Sequence, residues 1–314
     1  MKSSDYFGLI DAMSDKTKGN LLLLLTAVLW GSGFISQKLG NAAMPPMTFN
    51  AVRHLLAAAL LIPIASYSLS GNGYFSKDKN SDEDIREKKK RTRIGGFLCG
   101  MLLLLGTATQ QIGLLTVSAG KSGFISSLYI VFVPFISIII GKKIPRKAVF
   151  CVAVAMIGFA IMSLKGGLGG ATAGDWLTLV SAVAFAAQIV AVSLFVDEGN
   201  AVRLSQLQFL CSGIVGLAIA LIAEQPALSA VLAGALPLLY QALIPTAGGY
   251  TLQVIGQRYA DSTTAALIMS TEAIFAAILG ALILKEAMSA RELLGAVIIF
   301  AAVIIAQLEI PKRS

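Results

Sequence analysis

The sequence predicts an all-α integral membrane protein of ten transmembrane helices, arranged as two inverted five-helix repeats. Three observations carry that expectation: scarcity of charge, a train of bilayer-length apolar segments, and a weak internal repeat whose halves each hold an odd number of segments. Of 314 residues, 56% are hydrophobic and only 13% charged, against about a quarter charged in a soluble domain. Mean hydropathy is +0.78. A chain so poor in charge cannot cover a water-facing surface, which excludes a soluble enzyme. The net charge of +8 lies in short stretches between apolar segments. It therefore reads as a topology signal rather than a nucleic-acid surface. Cys99, Cys151 and Cys211 all fall within apolar segments, where buried thiols are expected rather than structural disulfides.

Residues 1–20 are mixed and polar, without the basic-then-apolar order of a cleaved signal. They read as a cytoplasmic tail, in which Phe7, Leu9, Ile10 and Met13 suggest a short interfacial helix. A spanning helix needs about 20 mostly apolar residues. Segments of that kind are read at Leu21–Leu39, Met47–Leu69, Ile94–Val117, Ser122–Gly141 and Ala148–Leu164. Five more are read at Asp175–Phe195, Leu204–Ala223, Leu236–Gln257, Thr263–Leu284 and Glu292–Leu308. The first repeat thus spans 21–165 and contains the polar, basic loop 70–93. A Gly-rich linker at 166–174 leads to the second repeat at 175–308, and 309–314 form a second tail. With the N-terminus inside, nineteen of the 25 Lys and Arg lie on the cytoplasmic side, five lie outside, and Arg53 falls within a segment. Lys and Arg are retained on the cytoplasmic side, so both termini are expected in the cytoplasm of a multi-pass plasma-membrane protein.

Sliding Thr107–Leu164 by 143 residues lays it on Tyr250–Gln307 without a gap. Gln110, Ile112 and Gly113 fall on Gln253, Ile255 and Gly256; Ser127 falls on Ser270, Phe132 on Phe275, and Lys142 on Lys285. Each half holds five segments, so the second begins on the opposite side of the membrane. Similar halves of that kind are related by a pseudo-two-fold axis in the membrane plane, an arrangement typical of secondary transporters with a midplane site between the repeats.

A polar side chain inside a membrane needs a partner or a task. Glu272 sits near the centre of the ninth segment, where it can bind a cationic group or a proton, or serve as a structural hydrogen-bonding group. Arg53 lies near the outer end of the second segment. It either snorkels to the interface with its stem in lipid, holds a substrate carboxylate, or closes an outer gate. His54 is the only histidine. It reads as a packing residue or, since histidine titrates near neutrality, as a second proton-coupling candidate beside Glu272. Trp30, Phe34 and Gln37 share one helical face, as do Thr246, Gly249, Tyr250 and Gln253. Ser122, Ser126 and Tyr129 line one side of the fourth segment, Gln110 occupies the third and Gln188 the sixth. Membrane helices use such groups as glue. Their convergence with aromatics in an inverted repeat reads instead as a cavity lining for small amphipathic solutes. The candidate substrate-binding set is Trp30, Gln37, Arg53, Gln110, Tyr129, Gln188, Tyr250, Gln253 and Glu272. Gly96 and Gly100 form a small-xxx-small pattern suited to internal packing or to a homodimer. No catalytic pair, metal constellation, cofactor motif or nucleotide-binding loop is present, so no enzyme activity, metal, cofactor or ATP drive is expected.

Several stretches together carry a family resemblance. They are Ala27-Val28-Leu29-Trp30-Gly31-Ser32-Gly33-Phe34, Pro46-Met47-Thr48-Phe49-Asn50-Ala51-Val52-Arg53, and Leu128-Tyr129-Ile130-Val131-Phe132-Val133-Pro134. Ser270-Thr271-Glu272-Ala273-Ile274-Phe275-Ala276-Ala277, closing on Leu284-Lys285-Glu286, completes the set. In order and spacing the chain resembles the EamA-type ten-helix carriers of the drug/metabolite transporter superfamily from about Leu21 to Leu308. It departs from them at Ala273, where the family often has Pro, and at Lys143, where a Glu is frequent. The resemblance implies a secondary transporter working by alternating access, and an exporter of amino acids, amines or related small metabolites. Its partners would be a small-molecule substrate and the lipid bilayer, not nucleic acid. Import or exchange of nucleobases or quaternary ammonium compounds, or a scaffold or sensor without flux, are the alternatives.

Overall fold

The protein is described by a computed structural model over residues 14–69, 82–141, 146–164, 171–196 and 200–307. The expected interfacial helix around Phe7–Met13, the Gly166–Gly170 linker and the 309–314 tail lie outside the described residues. Those residues are all helix and connection, with no strand among them. In order they form α1 (Asp15–Ala43), α2 (Pro46–Leu60), α3 (Ile62–Leu69), α4 (Asp82–Gly113), α5 (Ala119–Ser126), α6 (Tyr129–Ile136) with a 3₁₀ turn (Ser137–Ile140), and α7 (Arg146–Ser163). There follow α8 (Ala173–Phe195), α9 (Ala201–Ala223), α10 (Leu228–Ala233), α11 (Ala235–Gln241), a π-helical stretch (Ala242–Tyr250), α12 (Thr251–Gly256), α13 (Ser262–Ser270), α14 (Glu272–Ile283) and α15 (Ala290–Gln307). Among the described residues six helices are long and apolar enough to cross a membrane. They are α1, Arg86–Gly113, Ala119–Ile140, α8, α9 and Ser262–Ile283.

Local chemistry fixes where these helices begin. The first amides of a helix lack intrahelical acceptors and need side-chain oxygens. Ser14 accepts from Thr17 N (3.2 Å) ahead of α1, and Asn200 Oδ1 accepts from Val202 N and Arg203 N ahead of α9. Asp261 does the same for Thr263 N and Thr264 N ahead of α13. Thr172 and Asp175 form a reciprocal capping box at α8 (3.1 and 3.0 Å). Helix α1 therefore starts at Asp15, inside what the sequence suggested as tail.

Four further elements differ from the sequence expectation. The polar loop 70–93 is helical from Asp82 onward; charged residues spaced four apart, as Glu87 and Arg91 are, favour helix without an apolar stripe. The fourth segment at Ser127–Leu128 and the ninth at Thr271 tighten to i→i+3 bonding while keeping helical backbone angles, so each is one helix with a short 3₁₀ turn in its middle. The eighth segment is not one α-helix either. Pro245 has no N–H to give to the i−4 carbonyl, and the chain around it runs as a π-helix with i→i+5 bonding.

The bundle has the polarity of a lipid-solvated protein. Ile139, Ile222, Leu236 and Leu282 are 73–84% exposed, while Arg53, His54, Glu272 and a series of glutamines are buried. In packing, α4 lies against α8, α7 against α15, α9 against both α2 and α4, and α14 against α1 and α5. Helix α1 also packs on the π-helical stretch and α12, and α6 on α8. At the α7–α15 crossing, a Cβ on Gly158 would lie 2.9 Å from Gly295 O, and one on Gly295 would lie 2.6 Å from Gly158 O. The two backbones touch because neither residue has a side chain. Gly96 and Gly100 pack on Leu207 and on Gln208–Cys211 of α9, so their small face is used within the chain.

Several polar ties between residues before 164 and those after 171, the ion pairs among them, lie at one end of the bundle. Lys121 pairs with Asp175 (2.7 Å) and Lys38 with Glu286 (3.2 Å). Glu286 also accepts from Ala119 N at the start of α5 (2.7 Å). Glu224 accepts from Met47 N and from Thr48 N and Oγ1 at the start of α2 (2.7–2.8 Å). Arg291 donates to Ile161 O and Leu164 O at the end of α7 (2.7 and 2.5 Å).

Candidate functional site

A narrow cavity lies inside the bundle. Trp30, Phe34 and Gln37 of α1 form one wall, with Arg53 of α2 and Gln110 of α4 beside them. Tyr129 opens α6 and Glu272 opens α14, so each follows directly on the 3₁₀ turn in the middle of its segment. They are also counterparts under the 143-residue shift. Phe185 of α8, Gln241 at the end of α11, and Pro245 and Tyr250 of the π-helical stretch complete the lining. The stretches before 164 and after 171 thus both build it.

Its walls are aromatic and its polar groups are few, the usual make-up of a small-molecule site. The Trp30 and Tyr250 rings lie 4.6 Å apart at 51°. Gln110 Nε2 donates to Ser126 Oγ (2.8 Å). Trp30 Nε1, Gln37 Oε1 and Tyr129 Oη are buried without a hydrogen-bond partner among the described residues. The Tyr129 phenol stands beside the Glu272 carboxyl but outside hydrogen-bond geometry. Buried polar groups without partners are rare in finished protein interiors, and here they share one cavity.

Arg53 is 1% exposed. That overturns the snorkelling reading: both stem and head are inside the bundle, not at an interface. Its Nε and Nη2 donate to Asn50 Oδ1 (3.0 and 2.7 Å), and Asn50 Nδ2 donates to Thr107 Oγ1 (3.1 Å). One orientation of the Gln241 amide satisfies both of its ends. In it, Nε2 donates to Ser36 Oγ and to Gly33 O (3.0 Å), and Oε1 accepts from Arg53 Nη1 (2.6 Å). No ion pair holds Arg53 or Glu272 among the described residues.

Seven of the nine candidate residues, Trp30, Gln37, Arg53, Gln110, Tyr129, Tyr250 and Glu272, line this cavity. Gln188 and Gln253 lie outside the lining. They join an amide ladder in which Gln253 Nε2 donates to Gln188 Oε1 (2.9 Å) and Gln257 Oε1 (3.0 Å), and Gln188 Nε2 to Gln208 Oε1 (3.1 Å). The expected common face of Thr246, Gly249, Tyr250 and Gln253 fails for a geometric reason. A π-helix does not repeat every 3.6 residues, and only Tyr250 of the four lines the cavity. His54 also lies outside the lining. Its Nδ1 is 2.8 Å from Ser212 Oγ of α9 and its ring stacks on Phe209. Sequence reasoning missed Phe185 and Gln241. Gln241 carried a usable signal, an amide one turn before an intrasegment proline, whereas Phe185 is one apolar residue among many. Among the described residues no three His, Cys, Asp or Glu side chains converge as a metal site would require.

An all-helical bundle with apolar spans, an apolar exterior and a polar cavity walled by both of its halves is a multi-pass membrane transporter. Residues 17–164 and 172–307 each match the EamA-like transporter family, and the chain belongs to that family. It is 30% identical over 292 residues to an uncharacterized transporter of Archaeoglobus fulgidus, covering 93% of this chain and 86% of the relative. It is 24% identical over 303 residues to an uncharacterized transporter of Clostridium kluyveri, covering 92% of each. A solved crystal structure shares the fold with a TM-score of 0.63 at 16% identity, over 93% of this chain and 96% of its own. Family and relatives are transporters, not enzymes.

Proposed function

We propose that this chain exports amino acids, amines or related small metabolites across the plasma membrane by alternating access. In this reading it crosses the membrane ten times, as two inverted five-helix halves with both termini in the cytoplasm. The observation that carries the reading is the cavity, built by both halves around partnerless polar groups. The packing supports it too. Exchanging first-half helices with their second-half counterparts maps the α4–α8 contact onto that of α1 with the π-helical stretch and α12, and the α6–α8 contact onto that of α14 with α1. The α7–α15 and α9–α2 contacts map onto themselves. Halves related in this way can rock about the central site to give two states of similar energy. The basic-residue bias puts the tied end outside. Energy comes from a proton gradient or from the solute's own gradient, with Glu272 and His54 as the coupling candidates.

Flux in proteoliposomes tests this. Purified protein is given labelled amino acids, amines and nucleobases, with and without a pH gradient. The expected result is protein-dependent movement of the amino acid or amine class, blocked by Gln110→Trp, which fills the cavity. Movement of nucleobases alone would replace the substrate class. Folded protein that moves nothing would leave a scaffold or sensor.

A further inference from the structure

We infer that the cavity selects solutes bearing a carboxylate, with Arg53 as the anion anchor and Glu272 receiving the cationic end of a zwitterion. The inference rests on the carrier reading and narrows it: simple amines, which that reading admits, are excluded.

The argument starts from how the guanidinium is held. A guanidinium carries five N–H donors in a rigid plane and cannot be discharged in a protein. Three of the five are taken here, two by Asn50 Oδ1 and one by Gln241 Oε1. Both acceptors are neutral amides. Each is itself fixed from behind, Asn50 by Thr107 and Gln241 by Ser36 and the Gly33 carbonyl. The arrangement aims the plane without neutralising it. One N–H on Nη1 and one on Nη2 remain, and Arg53 lines the cavity. A charge kept from water and from any counter-ion is costly unless something completes it. The N–H groups left on Nη1 and Nη2 are donors that a carboxylate can accept from.

The rest of the cavity says what else the solute carries. Glu272 lines the same space with no ion pair among the described residues, so a carboxyl able to take the opposite charge beside a solute cation is also available. The Trp30–Tyr250 pair adds an aromatic wall suited to an apolar side chain. A single zwitterion with a compact apolar side chain matches all three.

The test uses the wild-type protein in proteoliposomes and four probes sharing one ring: phenylalanine, its amide, phenylethylamine and 3-phenylpropionate. Competition against phenylalanine flux is read beside direct flux of each. The expected result is movement of phenylalanine, with the amide and phenylethylamine weaker by about tenfold or more, the scale of one lost charge-assisted contact. Gln241→Glu provides a second arm. It sets a carboxylate against the guanidinium and gives up the donation to the Gly33 carbonyl, so the variant that folds, checked by its unfolding temperature, should lose phenylalanine affinity by a similar factor. If the amide or phenylethylamine competes as well as phenylalanine, the carboxylate anchor is overturned while the carrier stands. If Q241E is folded and transports phenylalanine unchanged, Arg53 is not the anchor. If no solute of any class moves, the carrier reading falls and the anchor with it.

Discussion

Glu272 and Arg53 reach the cavity by different local devices, and their variants should behave differently. Glu272 follows Thr271, where the helix tightens to i→i+3 bonding, so its carboxyl is carried on a locally overwound turn. Glu272→Gln keeps shape and hydrogen-bonding capacity but removes the exchangeable proton. Flux driven by a pH gradient should lose its response to that gradient, while flux down the solute's own gradient persists with weaker affinity for a zwitterion, whose cationic end Glu272 receives. Proteoliposomes prepared with and without the gradient decide it, and an unchanged response would move the coupling role elsewhere. The sequence already marked both residues, because a charged group within an apolar segment stands out against its surroundings. It did not reveal that Arg53 is buried. Snorkelling and burial require the same residue at the same helical position, and only the neighbours Asn50 and Gln241, one of them nearly two hundred residues away, distinguish them.

Elements were legible to the extent that their periodicity was regular. Segments read from apolar length alone correspond to helices such as α8 and α9, and the capping residues Thr172, Asn200 and Asp261 explain their starts. The eighth segment was legible as apolar but not as a π-helix. That is why Tyr250 was placed on the cavity correctly and Gln253 was not. The crossing of α7 and α15 was hidden for another reason. Gly158 and Gly295 do not align under the repeat, yet they meet each other in space. Gly295→Leu should therefore force the two helices apart. Overpacking of a close crossing costs about 1–3 kcal/mol or more, to be read as a lower unfolding temperature in detergent. Solute preference in whatever protein remains folded should be unchanged, since neither glycine lines the cavity.

At the scale of the molecule, the ties at one end set how the halves separate. The Lys38–Glu286 pair is about three-quarters buried on each side, so it lies at the upper end of the surface range, about 1 kcal/mol. Glu286→Gln removes it and weakens the hold on the start of α5. A loss of that size shifts a two-state population about fivefold. A cysteine introduced at Gln37 should then react correspondingly faster with a reagent supplied from the tied end. Exchanging the charges, with Lys38→Glu and Glu286→Lys together, should restore the part of the slow rate that the ion pair supplies, but not the part from the Ala119 N–H, which a lysine cannot accept. If labelling is unaffected, the pair does not help to hold that end closed.

Met47, Thr48 and Ala119 offer a view of the same end that needs no label. Their backbone amides donate to Glu224 and Glu286, carboxylates borne by the other half of the chain. Those three protons are held only while the halves are together. In deuterated buffer they should exchange as a group, at a rate set by how often that end comes apart rather than by fraying of either helix. A solute that locks the end shut should slow all three at once, and a ligand that props it open should speed them. The three amides form a built-in clock for the transport cycle.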